Sequence, residues 1–127
     1  MKVYVGSSLH NANRVREIQA RFKQAGVSIT YDWTTHGQVY SEDQLAAIGE
    51  SEERGVEECD LFFMIQPGRT GTHYELGLAR GLRKPVVILE EVEVEKKTFY
   101  YCLGVHRFKS EDEAFGFALR LLQGMNE

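Results

Sequence analysis

The sequence predicts an α/β fold: a three-layer, doubly wound parallel sheet of about five strands, flavodoxin-like or Rossmann-like, in the order 2-1-3-4-5. Three observations lead there. Short apolar runs alternate with stretches of helical periodicity along the chain. The runs at 61–65 and 85–89 are continuously apolar, as parallel strands covered on both faces must be. At 127 residues and 43% hydrophobic content, the chain reads as one domain, 1–127, with room for a core that needs no disulfide.

The elements follow in order. Residues 2–5 read as a strand that stops at Gly6-Ser7-Ser8. Residues 11–25 carry Val15, Ile18 and Phe22 at helical spacing, with Gly26 as the stop. A second strand at 27–31 runs into Asp32-Trp33-Thr34-Thr35-His36-Gly37. Residues 43–58 form a helix with Leu45, Ile48 and Val56 inward, interrupted by Gly49 and Gly55. The central strand at 61–65 ends at Pro67-Gly68, a helix spans 72–82, and 85–89 is a fourth buried strand. Residues 90–97 are a solvated loop or edge, and a short fifth strand lies within 100–108. An amphipathic helix over 110–123 starts from Ser110 as N-cap with Glu113 at N3. There are no repeats, low-complexity tracts or linkers.

A net charge of −4 argues against a general nucleic-acid binder, although a loop and a helix end can still hold a small phosphate. Cys59 and Cys102 sit in apolar surroundings and read as buried, reduced thiols. No signal peptide is visible and the apolar runs are too short to span a bilayer, so no membrane partner is expected and the expected compartment is cytoplasmic. The four histidines have no ligand spacing with each other or with the cysteines, so no metal site is expected.

Ligands in a doubly wound sheet sit beyond the carboxyl ends of the strands, where the strand order switches. That rule marks residues 6–11, 32–40 and 66–75. Gly6-Ser7-Ser8 is either an ordinary strand-to-helix turn or a seat for a phosphate or sugar hydroxyl. It is neither G-x-G-x-x-G nor a Walker sequence. Gly68-Arg69-Thr70-Gly71-Thr72 carries a permanent cation into a helix start. Trp33 is core filler or a platform for a flat ligand such as a nucleobase. Gly77 and Gly81, four apart, suit close helix packing. Asp60 suits a turn or cap. Glu75 fits a capping box with Thr72 as N-cap, which by itself asks nothing more of it.

The stretch "CDLFFMIQPGRTGTHYELGLA" resembles the nucleoside 2-deoxyribosyltransferase superfamily, which includes the 2′-deoxynucleoside 5′-phosphate N-hydrolases. Members open with a tyrosine-bearing strand and a Gly-Ser-like loop, matched by Tyr4, Gly6 and Ser7. They continue with D-x-x-G eight residues before a strand-opening Asp, then a glycine loop and E-L-G-x-A. Gly55, Asp60, Gly71, Glu75, Leu76, Gly77 and Ala79 occupy those places, and the resemblance covers roughly residues 2–90.

This resemblance implies that Glu75 is the nucleophile and that position 52 carries the catalytic carboxylate. Here that residue is Glu52, one methylene longer than the family's aspartate. It further implies cleavage of an N-glycosidic bond in a 2′-deoxynucleoside 5′-monophosphate or related nucleoside, through a glycosyl-glutamate intermediate. No metal or organic cofactor is implied. Ser7, Ser8, Arg69 and Thr70 would hold a 5′-phosphate, Trp33 would wall the base, and Tyr4, Gly6, Gly71 and Thr72 would complete the substrate-binding set. The expected partner is a small nucleotide or nucleoside, not a nucleic-acid polymer, in a homodimer or higher homo-oligomer. The transferases' carboxyl-terminal sugar-holding segment has no match in residues 123–127. Two alternatives remain: a transferase moving the sugar between bases, and a non-catalytic module that binds a nucleotide derivative.

Overall fold

A computed structural model describes residues 1–39 and 41–125. Its sheet has five strands, all parallel, in the order β2-β1-β3-β4-β5. These are β1 (Lys2–Gly6), β2 (Ser28–Ile29), β3 (Leu61–Ile65), β4 (Val86–Leu89) and β5 (Val105–Phe108). Helices α1 (Ala12–Gln24) and α4 (Glu111–Met125) cover one face, where Phe22 meets Phe115. Helices α2 (Glu42–Glu58) and α3 (Thr70–Gly81) cover the other and pack on each other. Every residue of β3 and β4 is buried, which is why those runs carry no polar alternation.

Gly26 ends α1 as expected, at a φ of +83° that side chains rarely adopt. Asp60 accepts a hydrogen bond from the Lys2 amide (3.0 Å), tying the starts of β3 and β1 together. Ser110 accepts from the Glu113 amide at 3.3 Å, as its N-cap reading requires.

Three local expectations fail, and the fifth strand lies within the expected span. β2 is only two residues long: it is an edge strand bonded to β1 alone, and the Asp32 turn draws the chain out of the sheet. The fifth strand takes the last four residues of its expected span, Val105–Phe108, and residues 98–104 before it form a 3-10 turn and loop. Cys102 lies in that loop and is exposed, whereas Cys59 is buried, with its thiol pushed up to about 11 by desolvation. Gly77 and Gly81 lie on the outer side of α3, where an added Cβ would meet nothing, so they pack against no other element.

Candidate active site

Helix α3 does not start where the capping-box reading puts it. Thr72 is its third residue, and the Arg69 amide donates to Thr72 Oγ1 at 3.2 Å. Glu75 therefore lies in the second turn and has no capping duty. Its side chain points to the sheet, 7% exposed, where the Tyr4 hydroxyl donates to Oε2 at 2.8 Å. Tyr4 is held in turn by stacking on Phe62, with centroids 5.7 Å apart. Gly6 leaves room beside the carboxylate: a Cβ there would lie 3.5 Å from Glu75 Oε1 and 2.9 Å from the Phe62 ring.

Electrostatics at Glu75 also depart from the simple reading. A helix N-terminus favours an anion, but the effect fades beyond the first turn. Burial dominates instead. It pushes the Glu75 carboxyl up to about 8; the Tyr4 hydrogen bond pulls down and the Glu52 charge pushes further up. Burial and then the Glu75 charge raise the Tyr4 phenol, so it remains a donor. Half-buried Glu52 is raised by its own desolvation and pulled down by His36. The Glu52 charge reaches Glu75, which couples the two titrations.

Glu52 comes from α2, which reaches the site because of Gly55. A Cβ at Gly55 would lie 2.8 Å from Tyr31 Cβ and 3.0 Å from the Tyr4 ring. Thr30 Oγ1 donates to the Gly55 carbonyl at 2.7 Å, pinning the helix there. One turn earlier the same helix presents Glu52 to a cavity of about 730 Å³ between α2, α3 and the β1 loop. Leu45 is not inward as its periodicity suggests. It is 54% exposed, and with Ile48 it forms an apolar wall of the cavity. Val56 is fully buried, as expected.

Of the residues singled out in the sequence, Ser7, Ser8, Trp33, Glu52, Arg69, Gly71, Thr72 and Glu75 line this one cavity. Tyr4 and Gly6 lie beneath it. Thr70 does not join the lining; its side chain is exposed at the outer start of α3. The Ser7 hydroxyl is already committed, donating to the Ile65 carbonyl at 2.7 Å and accepting from Asn11 at 2.9 Å. By contrast, the Ser8 hydroxyl and the Arg69 guanidinium have no partner among the described residues. Trp33 is both core and wall: 8% exposed, it donates Nε1–H to the Val5 carbonyl at 2.8 Å. Among the described residues no cluster of His, Cys, Asp or Glu could hold a metal ion.

Sequence reasoning missed several contributors to the site. His36 was set aside for want of metal spacing, yet it lines the cavity and bonds the Tyr31 hydroxyl at 2.7 Å. Tyr74 donates to Glu53 across the cavity mouth, joining α3 to α2. Leu45 carried a usable signal. It lies at i, i+3, i+7 spacing with Ile48 and Glu52, an apolar helix face that ends in a carboxylate.

The comparisons agree with this fold. A search of curated proteins returns no match. Among solved structures, a Clostridium botulinum CMP N-glycosidase superposes with a TM-score of 0.61 at 20% identity, covering 93% of this chain and 98% of its own. A 2-deoxyribosyltransferase from Bacillus psychrosaccharolyticus gives a TM-score of 0.71 at 16% identity, covering 94% and 95%. No helix of the described residues is long and apolar enough to cross a membrane. A family model described as nucleoside 2-deoxyribosyltransferase matches residues 3–120, and the chain therefore belongs to that enzyme family.

Proposed function

We propose that the protein cleaves the N-glycosidic bond of a 2′-deoxynucleoside 5′-monophosphate by way of a glycosyl-Glu75 ester. One observation carries the reading: a buried carboxylate on α3, held by a tyrosine hydroxyl, faces a second carboxylate on α2 across a cavity large enough for a nucleotide. The Glu75 oxygen bonds to the anomeric carbon as the bond to the base breaks, and the departing base takes its proton from Glu52. Water then attacks the same carbon, gives its proton to Glu52 and frees Glu75. Reaction requires Glu75 ionised and the proton on Glu52, a state favoured by the positive charge developing on the sugar beside Glu75.

The 5′-phosphate fits the uncommitted cation of Arg69, the Ser8 hydroxyl and the amides at the start of α3. The base fits between Trp33 and the Leu45–Ile48 wall, where an apolar face is otherwise left to water. Incubation with deoxynucleoside monophosphates, ribonucleoside monophosphates and nucleosides, each with and without a second base, tests the reading. Free base and deoxyribose 5-phosphate are expected from the deoxynucleotides. Product only when an acceptor base is present would instead make the protein a transferase. Binding without turnover would make it a binding module.

A further inference from the structure

Tyr31 and His36 form a hydrogen-bonded pair that the reaction above does not use. The segment carrying them is heavily anchored. Asp32 accepts from the Thr34 amide (3.0 Å), the Thr34 hydroxyl (2.6 Å) and the Gln19 side chain (3.2 Å). Arg16 donates to the Thr34 carbonyl at 3.0 Å, and the Trp33 indole is tied to β1. His36 follows this short 3-10 turn directly. Its Nε2 bonds the Tyr31 hydroxyl at 2.7 Å, and the two rings lie 5.8 Å apart at 33°. Tyr31 in turn packs on Gly55, one turn from Glu52. His36 and Glu52 line the same cavity.

The geometry points to His36, oriented by Tyr31, as a positioning residue that controls when Glu52 holds its proton. This rests on the reading of Glu52 as the acid. An imidazole is the one side chain that ordinarily changes charge within the working range of an enzyme. Its charged form favours the Glu52 carboxylate, the direction in which His36 acts on that group. Its neutral form leaves the proton on Glu52, where the departing base needs it. The other titratable or charged groups around the pair come from three elements. Glu53 lies beside Glu52 on α2; Arg69, Tyr74 and Glu75 line the cavity from α3 and its start; and Tyr4 and Asp32 flank it from the sheet side. Of these, Arg69 is the one cation on the cavity wall, and it is placed for the phosphate.

The test is a carbon-13 NMR titration of Glu52 in the intact protein, run beside a pH–rate profile. In His36→Gln, Glu52 is expected to titrate at higher pH than in the wild type, and the acid limb of the profile should move up with it. His36→Lys, which restores a positive charge, should bring both back down. Tyr31→Phe, which frees the ring, should shift them upward by less than His36→Gln does. Glu52 titrating at the wild-type pH in the His36 and Tyr31 variants overturns the inference, and so does a uniform loss of activity with an unmoved profile. Should the wild type turn over no nucleotide, the proposed reaction fails, while the NMR titration still decides the role of His36.

Discussion

Glu75 is a carboxyl group the fold would rather keep neutral, and that preference has a measurable consequence for stability. In the native state it holds its proton to about pH 8, against an ordinary value of 4.5. Between those limits the native protein binds more protons than the unfolded chain, so stability falls as pH rises through the window. The loss is at most roughly 5 kcal/mol, and less because Glu52 shares the titration. Glu75→Gln keeps the Tyr4 hydrogen bond but cannot ionise. Its melting temperature should match the wild type near pH 4.5 and exceed it by a widening margin up to pH 8, as followed by thermal denaturation across pH. Turnover in the same variant should fall by several orders of magnitude, because the covalent route is gone. A melting difference that does not vary with pH would show that Glu75 is ionised in the resting protein. The wild-type rate should form a bell whose upper limb lies near pH 8, where the pair loses its last proton.

At the scale of elements, the site depends on how closely α2 approaches β1, and Gly55 sets that distance. Gly55→Ala would drive a methyl group into Tyr31 Cβ, which no side-chain rotation can move, and into the Tyr4 ring, which is held in a buried stack on Phe62. The expected cost is roughly 1–3 kcal/mol, the usual range for overpacking. Because Glu52 rides one turn away on the same helix, turnover should drop further than stability alone explains, which chemical denaturation and initial rates measured together would reveal. The same region shows which elements were legible in the sequence. The strands 61–65 and 85–89 declare themselves because burial on both faces leaves no polar residue in them. The start of α3 does not, since Thr72-His73-Tyr74-Glu75 satisfies a capping pattern two residues inside the true helix. Leu45 misled for a related reason: periodicity identifies an apolar face, but not whether protein or ligand covers it. The bond between Tyr31 and His36 was out of reach, because it depends on how the chain folds back after a two-residue strand.

For the whole molecule, the switch in strand order between β1 and β3 gathers the loop after β1, the Asp32 turn and the start of α3 at one end of the sheet. The site was legible at this scale because the switch-point rule needs only strand order. The protein's charge bears on what that end can bind. At a net −4, the chain as a whole repels a phosphate dianion, so recognition must come from local groups that outweigh the long-range field. Arg69 is the cation available, exposed on the cavity wall and without an ion-pair partner among the described residues. A charge-assisted contact to phosphate contributes about 1.5–3 kcal/mol. Arg69→Ala should therefore weaken deoxynucleoside monophosphate binding by roughly ten- to a hundredfold. Binding of the matching nucleoside should hardly change, because it offers the arginine nothing to grip. Calorimetric titration of both ligands against both proteins reads the two effects separately. If the wild type bound nucleoside and monophosphate equally well, the 5′-phosphate would have no seat at Arg69, and a nucleoside would be the better substrate for this cavity.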